Sequence, residues 1–179
     1  FFANREIKSP KDMVGMKYRI PNLPIFEKNA RAMGATPVVV AWSEYPFALM
    51  QGVVDGGECS KDSYRSSGLY ESAKYVADVD YAYPVEQICF STQFWNSLSE
   101  EDQKVISDAA AQVASHHSER TLDKWEEDKE WLINEGGVTF CDIDRQAFID
   151  ATEPLGKELQ DEGFFTTKDL YDQTRQFNK

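Results

Sequence analysis

The stretch that most limits the fold begins at Ser99. Ser99-Glu100-Glu101-Asp102 has the layout of a helix start, a capping serine followed by acidic residues in the first turn. Val105, Ile106, Ala109, Ala110, Val113, Ala114, Leu122, Trp125 and Leu132 then keep an apolar stripe at helical spacing for about thirty residues. The pattern predicts a helix that runs to Asn134 and stops at Gly136-Gly137. At about 1.5 Å per residue, such a rod exceeds the width of one small lobe and is expected to cross between lobes.

Upstream, Gly15-Met16-Lys17-Tyr18-Arg19-Ile20-Pro21-Asn22 reads as a short strand between two punctuating residues. Gly15 ends a helical turn that starts at Ser9-Pro10-Lys11-Asp12, and Pro21 disfavours the helical basin for Ile20. Period-2 alternation puts Lys17 and Arg19 on one face and Met16, Tyr18 and Ile20 on the other, which can enter the core. Arg19 thus stands at the carboxyl end of a strand, where open α/β sheets present ligands, and Asn22 is placed to cap the next helix. Leu23, Phe26, Ala30 and Met33 form the apolar face of that helix, with Gly34 as its stop.

Thr36-Pro37-Val38-Val39-Val40-Ala41-Trp42 is a β-branched run between turn residues, the pattern of a strand buried on both faces. Strand, helix and strand imply a parallel pair joined by a crossover. Ser43 is placed to cap a helix that carries Pro46 in its first turn and ends at Gly52. Beyond the glycine pair Gly56-Gly57, strands are expected over residues 75–83 and 85–92, and a short one over 138–142. Helices are expected over 144–162, with a kink or restart at Pro154, and over 167–177. The fold class expected is therefore α/β with a mixed sheet. The division expected is a ligand-binding lobe over residues 1–98, then the long helix and C-terminal helices over 99–179.

A net charge of −12 argues against nucleic acid and anionic membrane surfaces as partners. No run approaches the roughly 18 apolar residues of a membrane span, and Phe1-Phe2-Ala3-Asn4-Arg5 lacks a signal-peptide layout. The expectation is a cytosolic protein or one from which a leader has been removed. Cys59, Cys89 and Cys141 lack the spacing of a disulfide framework or a zinc ribbon.

Taken in order, Gly15-Met16-Lys17-Tyr18-Arg19-Ile20-Pro21, Met33-Gly34-Ala35-Thr36-Pro37, Glu44 with Ala48-Leu49, and Gly52-Val53-Val54-Asp55-Gly56 followed by Glu58 resemble the DctP-type substrate-binding proteins of TRAP transporters. The resemblance implies a periplasmic, two-lobed protein without chemistry or cofactor of its own. Such a protein closes on a small organic acid and hands it to a TRAP membrane permease. It implies that Arg19 forms a two-pronged salt bridge with the ligand carboxylate and projects into the cleft, so that the unliganded fold barely depends on it. It places Asn22 at a position of polar contacts, Trp42 at an aromatic lining position, and Cys59 where the family usually has asparagine. A thiol is a weaker donor than an amide, so a hydrogen bond to the ligand from that position either goes unmade or is made by Ser60. The resemblance also implies that most of the opposite lobe lies upstream of the point where this chain begins, so the chain resembles a C-terminal portion.

Two other functions compete. A thiol enzyme would use Cys59 with His116 or His117 as base, yet adjacent helix positions lie about 100° apart and cannot both serve one site. His116 and Glu119 share a helix face at i and i+3, a weak metal pair. A structural or interaction module would dock through acidic runs such as Glu126-Glu127-Asp128. No catalytic residue and no metal ligand is assigned.

Overall fold

The computed structural model describes residues 1–82, 85 and 87–177, with Ser118 described by its backbone. Its strands are β1 (Phe2–Ala3), β2 (Lys17–Ile20), β3 (Thr36–Val39), β4 (Gly56–Gly57), β5 (Tyr75–Val76) and β6 (Thr139–Phe140). The helices are α1 (Pro10–Met13), α2 (Pro24–Ala32), α3 (Tyr45–Met50), α4 (Lys61–Ser66), α5 (Thr92–Ser97), α6 (Glu100–Asn134), α7 (Arg145–Asp161) and α8 (Leu170–Arg175).

The strands form one mixed sheet in the order β3-β2-β4-β1-β5-β6. β2 lies parallel to both β3 and β4, with Arg19 opposite Val38 on one side and Gly57 on the other. β1 runs antiparallel between β4 and β5, and β5 is parallel to β6. The carboxyl ends of β2, β3, β4, β5 and β6 therefore share one edge of the sheet.

Alternation along the strands splits the core into two layers. Phe1, Ala3, Met16, Tyr18 and Ile20 face α2 and α7, where Ala30, Met33 and Phe148 close the first cluster. Phe2 and Val76 face the other way, into a cluster with Tyr45, Leu49, Tyr64, Leu69, Trp125, Leu132 and Val138. Stacking of Phe2 on Tyr64, with ring centroids 3.9 Å apart, anchors this second layer.

Several expectations change in three dimensions. β3 is the edge strand, so the run 36–42 is not buried on both faces: Val39 is 56% exposed, while Val38 and Val40 are half-buried against the second cluster. Pro37, which has no N–H to donate, suits an edge. The N-cap of α2 falls on Leu23 and not Asn22, and Pro24 occupies the first turn. A 3₁₀ turn, Trp42–Glu44, precedes α3, whose N-cap is Glu44 rather than Ser43. The expected strand over 75–83 is reduced to β5, and its last residue, Tyr83, lies outside the described residues. Of the stretch 85–92, Val85 and residues 87–91 carry no strand, Thr92 opens α5, and Glu86 lies outside the described residues. α7 passes through Pro154 without a restart. α8 is shorter than the expected 167–177 helix.

α6 keeps the predicted boundaries. The Ser99 hydroxyl accepts from the Asp102 backbone N–H at 3.1 Å, and the Asp102 carboxylate accepts from that hydroxyl at 2.7 Å. Its 35 residues span about 52 Å. Trp125 and Leu132, near its end, are buried in the second cluster, whereas its first twenty residues are mostly exposed. α4 fastens the packed end. Asp128 is 2% exposed and accepts from Arg65 Nη1 at 2.6 Å and from Lys124 Nζ, while the Arg65 guanidinium lies 4.0 Å from the Trp131 ring centroid.

Burial raises the Asp128 pKa, but hydrogen bonds and charge from Lys124 and Arg65 outweigh it and hold the group below its ordinary value of 3.8. A carboxylate depressed in the folded state contributes stability above its unfolded pKa and loses it as pH falls through the folded one. Asp128→Asn should therefore cost about 2 kcal/mol at neutral pH, discounted because both cations are partly exposed, and progressively less below about pH 4. Urea unfolding of both proteins at pH 7 and pH 3 measures this. An equal gap at the two pH values would remove the ion pair as the cause.

Candidate ligand site

At the carboxyl edge of the sheet, the ends of β2, β3 and β4 bring together groups that lie far apart in the chain. Arg19, one residue before the end of β2, is 5% exposed. This corrects the expectation of a side chain free in a cleft. Its Nε donates to the Val40 carbonyl at 3.0 Å, just past β3, and its Nη1 donates to Glu58 Oε1 at 3.3 Å, just past β4. The guanidinium carbon lies 5.0 Å from the Tyr45 ring centroid and 5.5 Å from that of Trp42. A guanidinium has five N–H groups, and only two are engaged; Nη2 has no hydrogen-bond partner among the described residues.

The close fit depends on Gly57. A Cβ there would lie 2.9 Å from Arg19 Cβ and would overlap the Tyr45 hydroxyl. The Tyr18 and Tyr45 hydroxyls are buried and without a hydrogen-bond partner among the described residues. Burial pushes both phenols well above their ordinary range, so both remain protonated donors. Burial also raises the Glu58 pKa, and the Arg19 charge opposes that rise.

Trp42, another predicted site residue, is 43% exposed, with its ring 5.9 Å from Tyr45. Cys59 and Ser60 follow Glu58 on the same edge, both partly buried, and the Ser60 hydroxyl is 2.9 Å from that of Ser63. Burial raises the Cys59 thiol far above its ordinary range, and no histidine is among the charges acting on it. A protonated thiol is a poor nucleophile. Asn22 is exposed two residues beyond β2 and makes no hydrogen bond to this group of residues.

Sequence reasoning missed Glu58 and Tyr45 as partners of Arg19. The available signals were the position of Glu58 directly after the glycine pair and the three-residue step from Trp42 to Tyr45, about one helical turn.

Next to the site, a charged cluster secures the segment after β5. Lys61 Nζ binds Asp78 at 3.0 Å and Asp80 at 2.8 Å. Arg145 donates to the Val79 and Asp78 carbonyls at 2.7 and 3.1 Å and to Asp80 at 3.1 Å. Asp80 has φ of 48°, in the left-handed region that non-glycine residues rarely adopt.

A hollow of about 390 Å³ lies elsewhere, lined by Ile88, Phe90, Thr92, Trp95 and Ile106 on residues 88–95 and α6. Its walls carry no ionic group, unlike the Arg19 edge. Among the described residues, no group of three His, Cys, Asp or Glu side chains is placed to hold a metal, and no helix is long and apolar enough to cross a membrane.

Known proteins resemble this chain over most of its length. A solute-binding protein of Roseobacter denitrificans is 34% identical over 146 residues, which is 82% of this chain and 45% of the relative. The sialic acid-binding periplasmic protein SiaP of Vibrio cholerae is 29% identical, over 88% of this chain and 49% of its own. The crystal structure of a TRAP periplasmic solute-binding protein from Roseobacter denitrificans with bound L-galactonate superposes with a TM-score of 0.85 at 29% identity, covering 99% of this chain and 57% of that one. The chain thus spans about half the length of the curated relatives it matches. The fold is one lobe of that two-lobed architecture. With residues 1–162 matching DctP, bacterial extracellular solute-binding protein family 7, and with the sheet and helices superposing on its solved members, this chain belongs to that family.

Proposed function

We propose that this chain forms one lobe of a periplasmic binding protein that closes on a small organic acid and delivers it to a TRAP-type membrane permease. The observation that carries this reading is Arg19: a nearly buried guanidinium at the carboxyl ends of three strands, beside two aromatic rings and with N–H groups unengaged among the described residues. A planar fork that stays charged when desolvated suits a carboxylate better than lysine does. Trp42, Cys59 and Ser60 line the approach, and Asn22 contributes from the loop after β2. Residues 1–98 form the ligand-binding lobe, and α6 crosses to the second lobe. The exposed apolar side chains Val85, Ile88, Phe90, Phe94 and Val105 are where that second lobe packs. Relatives whose names record sialic acid and ectoine as ligands support an acid-binding role.

The protein is a carrier and not an enzyme in this reading, and the raised Cys59 thiol agrees with it. Thermal unfolding of the two-lobed protein against a panel of carboxylates is the test. A binding protein gains RT ln(1 + [L]/Kd), about 2.7 kcal/mol at a hundredfold excess over Kd, whereas a docking module gains nothing from any acid.

A further inference from the structure

Asp80 keeps a left-handed backbone, and two cations hold its side chain from opposite sides. Its Oδ1 accepts from Lys61 Nζ at 2.8 Å and its Oδ2 from Arg145 Nη2 at 3.1 Å. Lys61 opens α4, whose Tyr64 lies in the second cluster, and Arg145 opens α7, whose Phe148 lies in the first. One carboxylate therefore bridges helices from the two layers, on opposite faces of the sheet, just past the carboxyl end of β5. The Lys61 hydrogen bond, foremost, holds this carboxyl below its ordinary value of 3.8, so the bridge is ionised at neutral pH.

Lys61 also reaches both parts of the chain that lead away from the sheet. Its Nζ pairs with Asp78 at 3.0 Å on the segment running out from β5, and it lies 5.5 Å from the ring centroid of Trp125 on α6. In sequence it follows Glu58, Cys59 and Ser60 directly. We propose that Lys61, Asp80 and Arg145 form the fixed end of the hinge on which the lobes close, and that Lys61 is a positioning residue that keeps the 58–60 edge of the ligand site in register with that hinge. The inference rests on the two-lobed, acid-binding reading above. A strained residue persists only where its surroundings over-determine it, and hinges are drawn from such element-terminal positions. Without the clamp, each closure must also order residues 58–60 and 78–80, and affinity falls with the fraction of molecules so ordered.

Two variants of the two-lobed protein test this: Lys61→Met, and Asp80→Gly, which keeps the backbone conformation while removing both ion pairs. Calorimetry with succinate, gluconate and glucuronate should show each variant weakened about three- to tenfold, the range of a partly exposed ionic network. The factor should be the same for every acid that binds, because the clamp acts through the hinge and not on the ligand. Lys61→Arg, which keeps the charge and can bridge both aspartates, should stay within about twofold. A fluorophore pair, one on α2 and one on the upstream lobe, reads closure itself: at saturating acid the unaltered protein should be closed, and Lys61→Met and Asp80→Gly should each keep an open fraction. Unchanged affinity and closure in Asp80→Gly, or a lower unfolding midpoint with unchanged affinity, would overturn the inference while leaving acid binding intact. Losses confined to some of the acids would place Lys61 on the ligand and overturn it too. Absence of binding by all three acids in the unaltered protein would instead remove the carboxylate anchor, and this inference with it.

Discussion

Arg19→Ala should weaken carboxylate binding by more than about 100-fold, because the ligand would be desolvated with no cation beside it. Arg19→Lys should cost roughly 10- to 100-fold: the charge stays, but one of two charge-assisted hydrogen bonds, each worth about 1.5 to 3 kcal/mol, goes. Stability should also respond, contrary to what a side chain free in a cleft would do. Arg19 is the hydrogen-bond donor to Glu58 and to the Val40 carbonyl, so its removal leaves a mostly buried carboxylate unpaired. A loss of about 2 kcal/mol without ligand is expected, since the residual exposure of Glu58 lets water screen part of the cost. Arg19→Ala combined with Glu58→Gln separates the two roles. The pair should recover most of the stability and none of the affinity. Undiminished binding by Arg19→Ala would take the anchor out of the site and most of the functional reading with it.

Gly57→Ala should destabilise the protein by about 3 kcal/mol, the upper end of what overpacking costs. The added methyl has two rigid neighbours. One is the Arg19 Cβ at 2.9 Å on the paired strand, and the other is the buried Tyr45 hydroxyl. Neither is the loose end of a flexible side chain. Tyr45→Phe by itself should be close to neutral, because it removes a buried hydroxyl that has no partner among the described residues. In the Gly57→Ala background it should restore about 1 kcal/mol by removing the nearest overlap, the hydroxyl, while the ring's Cζ still lies 2.9 Å from the added methyl. Urea unfolding of the four proteins gives the cycle, and a Gly57→Ala change below about 0.5 kcal/mol would show that the strand shifts freely and that the tight fit is not what fixes Arg19.

Local pattern determined the elements whose causes are local. The turn glycine and Pro21 bracket β2, the 3.6-residue stripe and Gly34 set α2, and the serine cap with the glycine stop set α6 almost to the residue, although Val105, Val113 and Leu122 of its stripe are exposed. The same pattern placed Arg19 at one strand end and Trp42 at the next, and the structure brings the Arg19 guanidinium within 5.5 Å of the Trp42 ring centroid. Tertiary structure alone decided the rest. β1 and β4 are two residues each, one of them a glycine pair, and exist only because neighbouring strands offer free edges. β3 is an edge because, among the described residues, no strand lies beyond it, a matter of sheet order that its valines do not encode. α7 continues through Pro154, where local pattern reads a break, with Phe148 before it buried in the first cluster and Lys28 of α2 bridging Glu158 and Glu162 after it at 2.6 and 2.8 Å. Arg19 is buried rather than exposed for the same kind of reason: its counter-ion lies 39 residues away, and only the parallel pairing of β2 with β4 brings that carboxylate within reach.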